Sequence, residues 1–166
     1  MNRLLLALSS LILSITVSSP LLAQEHEHAH EHAHEHAAAA TELRLNDGAK
    51  WETDAPLREA MGRIRGAMTA AHPQIHANSL PDAGYAELAE AVRAGVADMV
   101  ANCRLPADAD AQLHIVLGQL LSGAGAMAGT VESATRKSGA HQVFGALGNY
   151  GEYFDDPAFQ PIQHMH

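Results

Sequence analysis

The sequence predicts an all-α protein: an antiparallel four-helix bundle preceded by a signal peptide and a disordered, histidine-rich amino-terminal tail. Three observations carry that expectation. Ala and Leu dominate and β-branched residues are few, a composition that favours helices over sheets. Aromatic residues make up only 4 % of the chain, too few for the interior of a β-sandwich. Apolar residues also recur at helical spacing in four successive stretches, each bounded by Pro, Gly or a polar cluster. A length of 166 residues fits one such domain.

The elements follow in order. Residues 1–23 begin Met1-Asn2-Arg3, continue as an apolar run to Val17 and close on Ser18-Ser19-Pro20-Leu21-Leu22-Ala23. A basic start, a short apolar stretch and a small residue at its end read as a cleavable secretory signal. The apolar stretch is short for the ~20 residues of a membrane span and is broken by Pro20, so no stable span is expected once the signal is removed. The expected location is periplasmic or secreted. Residues 24–40 are Gln24 followed by Glu, His and Ala, with almost nothing to bury, so disorder is expected there.

Residues 41–166 form the expected bundle. Asn46-Asp47-Gly48 signals a turn, and Trp51 is expected to lie over one end of the core. Thr53 or Asp54 caps the first helix and Pro56 suits its first turn. Leu57, Met61, Ile64 and Met68 give its buried stripe, and it is expected to end near His72-Pro73, which leaves His72 and His76 on a loop. The second helix is expected over residues 82–103, with Tyr85, Leu88, Val92, Val96, Met99 and Cys103 facing inward. Arg104-Leu105-Pro106 breaks the chain. The third starts near Ala107 or Asp108 and carries Leu113, Val116, Leu117, Leu120, Leu121, Ala124 and Met127. The fourth is expected over residues 130–150, through Val131, Ala134, Val143, Phe144 and Leu147. Tyr153, Phe154 and Phe159 then fold back as an aromatic lid.

Histidine is the outlier, with 12 residues. His26, His28, His30, His32, His34 and His36 occupy every second position behind the signal. In an extended chain alternate side chains share one side, so six imidazoles face the same way. Neutral imidazole binds Cu(II), Ni(II) and Zn(II), and the Glu spacers add oxygen donors. Cleavage after Ala23 also exposes Gln24-Glu25-His26, whose amine, two amides and imidazole form a square-planar set suited to Cu(II) or Ni(II). His164-Met165-His166 adds nitrogen and sulfur donors at the other end of the sequence. The expected metal ligands are therefore the six tail histidines with His164 and His166, and copper is the favoured ion. Within the bundle, Met99 with His114, and His72 with His76, are further candidate pairs, although the favoured reading makes Met99 and Cys103 core hydrophobes and His114 a hydrogen-bonded helix residue.

Other chemistries find less support. The single Cys excludes an internal disulfide, a Cys₄ zinc site and a c-type haem attachment. Ten Lys and Arg against 19 Asp and Glu, a formal charge of −9, argue against a nucleic-acid partner. There is no Glu-x-x-His pattern of di-iron bundles and no phosphate-binding glycine loop. No acid and base pair stands out, so no enzyme is expected.

Two resemblances bear on these expectations. Trp51-Glu52-Thr53-Asp54-Ala55-Pro56-Leu57-Arg58, Met61, Ile64-Arg65, Asn102-Cys103-Arg104-Leu105, Asp108, Asp110 and Leu113-His114 together resemble small exported proteobacterial proteins labelled DnrO-like. That resemblance spans most of residues 43–160 and implies an exported helical domain, with no settled activity attached. In plan the bundle is also similar to cytochrome b562, which implies haem held by a Met early in helix one and a His late in helix four. Met61 matches the first position. His141, the histidine of the fourth helix, falls near its middle, and the low aromatic content makes a poor haem wall, so haem is disfavoured. An electron carrier of that kind, and a structural or partner-binding bundle with an incidental, pH-responsive tail, are the alternatives to metal capture.

Overall fold

The computed structural model describes residues 42–160. The expected signal, the six tail histidines, His164 and His166 lie outside the described residues. Four helices account for most of the fold: α1, Ala55–His76; α2, Asp82–Asn102; α3, Ala107–Ala128; and α4, Arg136–Tyr153. Two short strands, β1 (Trp51–Glu52) and β2 (Phe154–Asp155), pair in parallel, with Trp51 opposite Phe154 and Glu52 opposite Asp155.

Each helix is set by its apolar stripe. In α1, Leu57, Met61, Ile64 and Met68 are at most 1 % exposed, as their spacing predicts, and Ile75 joins them. Asp54 caps this helix, its Oδ1 accepting the Leu57 N–H at 2.9 Å. The expected stop at His72-Pro73 is corrected: α1 runs on to His76 through Pro73. A proline inside a helix costs ~3 kcal/mol because it forfeits a hydrogen bond and crowds the preceding turn. Burying Ile75 recovers roughly 1.5–3 kcal/mol, enough to hold the last turn against the core. The second helix ends one residue earlier than expected, and Cys103 is its half-buried C-cap residue.

In α3 the stripe holds except at Leu121, which is 45 % exposed. Gly129, at φ 75°, ends the helix in the left-handed conformation that glycine adopts without steric cost. The expected start of the fourth helix near residue 130 is also corrected. Thr135 Oγ1 accepts the Ser138 N–H at 3.1 Å and caps α4 there, while Val131 is 39 % exposed in the preceding turn. Arg136 ties this corner down, donating to Met127 O at 2.7 Å and lying 3.3 Å from Asp82 at the head of α2.

Helices α3 and α4 approach backbone to backbone. A Cβ on Gly139 would lie 2.6 Å from Gly123 O and 2.6 Å from Met127 N, and one on Gly123 would meet Gly139 O at 2.8 Å. Only glycine permits that spacing. At the other end of α4, the expected lid is corrected in one member: Phe154 and Phe159 close over Tyr150, while Tyr153 is the half-buried last residue of the helix. The Tyr150 and Phe154 rings stack with centroids 5.4 Å apart, and Phe159 meets Tyr150 edge-on at 4.9 Å. The Tyr150 hydroxyl donates to Asp156 Oδ2 at 3.0 Å.

The segment before α1 is fastened to this end of the core. Asp47 and Gly48 both have positive φ in the Asn46–Ala49 turn, as the Asn-Asp-Gly signal predicts. The Trp51 indole N–H donates to Arg44 O at 2.7 Å, and the Arg44 N–H to the buried Gln112 Oε1 at 2.8 Å. Thr53 Oγ1 donates to Asp155 O and Lys50 Nζ to Gly151 O, both at 2.7 Å.

Candidate metal centre

The two ends of α1 hold the most chemically distinctive side chains among the described residues. At its final turns, His72 and His76 sit one helical turn apart, on a helix rather than on the expected loop. Residues i and i+4 share a helix face, and the two ring centroids are 6.2 Å apart at an interplanar angle of 38°. His72 is half-buried and rests edge-on against Phe144, centroids 5.3 Å apart at 82°. His76 is exposed. Among the described residues this is the one pair of candidate ligands from the sequence that the structure brings together.

The other pairs are separated by environment. Met99 is 1 % exposed within the core, whereas the His114 side chain is 65 % exposed. The His114 Nδ1–H donates to Asp110 O at 2.8 Å, a bond within its own helix. Met61 is fully buried and His141 exposed, so one is sealed among core side chains and the other faces solvent. Among the described residues no group of three or more His, Cys, Asp and Glu converges on a point where an ion could sit. The six tail histidines, His164 and His166 fall outside those residues.

At the opposite end of α1, Asp54 does more than cap its helix. Its Oδ2 accepts the Arg104 N–H at 2.7 Å, and the Cys103 thiol also donates to it. One carboxylate thus joins the start of α1 to the connection between α2 and α3. Burial on its own pushes the Asp54 carboxyl up. The N–H groups of Arg104 and Leu57, the Cys103 thiol and the Arg58 charge together outweigh that and hold it below its ordinary value. Cys103 moves the other way. Burial, the Asp54 charge and the hydrogen bond to Asp54 push its thiol from 9.0 up to about 11, so it is a neutral thiol at neutral pH rather than a thiolate ligand. The sequence marks Asp54 as a possible cap, but its contact with Arg104 spans 50 residues and leaves no local signal.

An open groove between α3 and α4 is lined by Gly118, Gln119, Ser122, Gln142, Gly145 and Asn149. Asn149 Nδ2 donates to Gln119 Oε1 at 2.8 Å, so its amides are already partly occupied with each other. Among the described residues no helix is long and apolar enough to cross a membrane. Comparison of the chain with protein-family models, with curated proteins and with solved structures gives no match.

Proposed function

We propose that this protein is exported to the periplasm and captures divalent metal ions there, Cu(II) foremost and Ni(II) or Zn(II) by the same chemistry, to buffer or deliver them. The observation that carries the reading is the alternation of His26, His28, His30, His32, His34 and His36 behind a signal-like leader. Six imidazoles within eleven residues raise the local ligand concentration enough to bind borderline ions without a preformed cage. The helical domain, read as four antiparallel helices in up-down order, is the scaffold that carries this arm. His164 and His166 add donors from the other end of the sequence.

Support comes from the chemistry of the donors and from the distribution of charge. An excess of acidic over basic residues favours accumulation of cations around the chain. The test is a Cu(II) titration followed by electron paramagnetic resonance, comparing the chain with a variant in which all six tail histidines are alanine. Several equivalents are expected for the unsubstituted chain, most of them lost from the variant. Equal uptake by the two proteins refutes the reading.

A further inference from the structure

We propose that His72 and His76 form a second metal site, a helical chelate that holds one divalent ion, Cu(II) foremost, with solvent in its remaining coordination positions. It uses no amino-terminal histidine, so it stands or falls separately from capture by the tail.

The site depends on how α1 ends. The helix does not stop at Pro73 but makes one more turn, closed by the Ala77 N–H on Pro73 O at 3.0 Å. On a loop, four-residue spacing would fix no geometry. On a helix it stacks the two side chains on one face, with Cβ atoms about 5–6 Å apart. Ile75, between the two histidines in sequence, is 1 % exposed and so fixes the rotation of this last turn. That leaves His72 at the border of core and solvent and His76 outside. Two contacts with α4 hold this end of α1. His72 meets the Phe144 ring edge-on at 5.3 Å, and Lys137 Nζ donates to Asn78 Oδ1 at 2.7 Å.

The distance between the rings suits one ion. A ring nitrogen sits about 2.0–2.1 Å from a bound divalent ion, which puts two imidazole centroids about 4.5 Å apart at a right angle and about 5 Å apart at a tetrahedral one. The observed 6.2 Å is wider by about 1–2 Å, a gap that side-chain rotation at the exposed His76 closes without moving the backbone. Two histidines at i and i+4 on a helix are a recurrent half-site for this reason. The contact with Phe144 restrains His72, which lowers the entropy lost when an ion binds.

The donor set decides what the site does. Two neutral imidazoles favour borderline ions, with Cu(II) bound most tightly among the divalent first-row metals. Among the described residues no third donor converges on the pair, so water fills the other positions and a further ligand can displace it. Such a site exchanges its ion rather than locking it away. The ion also repairs a weak point of the helix. Pro73 has no N–H to give to Thr69 O, so the last turn lacks one bond of the ladder. An ion on both imidazoles spans that gap, and its binding energy adds to the stability of the fold.

The test uses the full chain with His26, His28, His30, His32, His34, His36, His164 and His166 all replaced by alanine, titrated with Cu(II). One equivalent with nitrogen coupling in its paramagnetic resonance spectrum is expected, together with a rise in Tm of roughly 8 °C at a hundred times Kd. Adding His76→Ala should weaken binding roughly 100-fold, the gain normally obtained by linking two ligands, and remove the rise in Tm. Adding His72→Ala as well should cost little more, because the chelate is already broken. Combining His76→Ala with Ala77→His keeps the number of histidines but turns the second imidazole about 100° away around the helix, and should not restore binding. His114→Ala and His141→Ala, at the other two histidines left in this chain, should each change the affinity less than threefold. His76 and Ala77 are exposed, so these changes spare the core, and far-ultraviolet circular dichroism reports helix content throughout. No bound Cu(II) in the eight-alanine chain overturns the proposal while leaving tail capture standing. Undiminished affinity after His76→Ala, recovery with Ala77→His, or an equal loss on His114→Ala or His141→Ala overturns it as well.

Discussion

Replacing Asp54 with Ala removes a group that serves two elements at once, and the structure sets the size of the loss. The cap to the Leu57 N–H at 2.9 Å is worth about 1 kcal/mol, within the 0.5–2 kcal/mol found for such residues. The charged hydrogen bond to the Arg104 N–H at 2.7 Å adds roughly 1.5 kcal/mol, the low end for charged partners because Arg104 is exposed and water can replace the carboxylate. Asp54→Ala should therefore cost about 2–3 kcal/mol, a fall in Tm of roughly 8–12 °C for a domain of this size. Asp54→Asn keeps an acceptor oxygen and should lose about half as much. The pH dependence follows from the direction of the shift. The folded carboxyl sits below its ordinary value, so its contribution is complete above the unfolded carboxylate range. That contribution is lost as pH falls through the folded value. Urea unfolding at pH 7 and at pH 3 is the assay. The gap between wild type and D54A should narrow at the lower pH. A cost under 0.5 kcal/mol at pH 7, or a gap that widens toward pH 3, would refute the assignment of Asp54 as the tie between α1 and Arg104.

Other outcomes follow from the same geometry. Gly139→Ala places a Cβ 2.6 Å from backbone atoms of α3 and should destabilise by about 3 kcal/mol or prise α3 and α4 apart, since neither partner is a movable side-chain tip. Gly145→Ala on the same helix meets open space and should instead stabilise by up to about 1 kcal/mol, so thermal melts of the two variants should move in opposite directions. The Cys103 thiol, pushed up to about 11, should react with iodoacetamide at pH 8 roughly 100-fold more slowly than an ordinary exposed cysteine. Asp54→Ala should speed that reaction, because it removes both the nearby negative charge and the hydrogen bond that keep the proton on sulfur; mass spectrometry of timed aliquots reads the rate.

The helices were legible because burial repeats along each of them. Leu57, Met61, Ile64 and Met68, or Val92, Val96 and Met99, declare their side by spacing alone. Helix ends were less so, since they depend on single residues whose effects compete. Pro73 argues for a stop, but Ile75 continues the buried stripe for another turn. Val131 and Ala134 extend an apolar pattern, but Gly129 has already turned the chain and Thr135 opens the next helix. Parallel pairing of Trp51–Glu52 with Phe154–Asp155 had no signal, because two residues carry no periodicity and the partners are remote in sequence. Of the candidate ligands, His72 and His76 could be paired by their four-residue spacing once they fell on a helix. Met99 and His114 could not be judged without knowing which side of each helix meets the core.

The parallel clasp has a kinetic consequence. Contacts between successive helices close short loops, whereas the bond from Thr53 to Asp155 spans 102 residues, and loop-closure entropy rises with that separation. The clasp is therefore expected to form late in folding and, with only two residues per strand, to open early in local unfolding. When it opens, the two chain segments it joins part from each other but keep separate fastenings, Arg44 to Gln112 on one side and Gln160 to Arg65 on the other, so the flanks of the helical core loosen in steps rather than together.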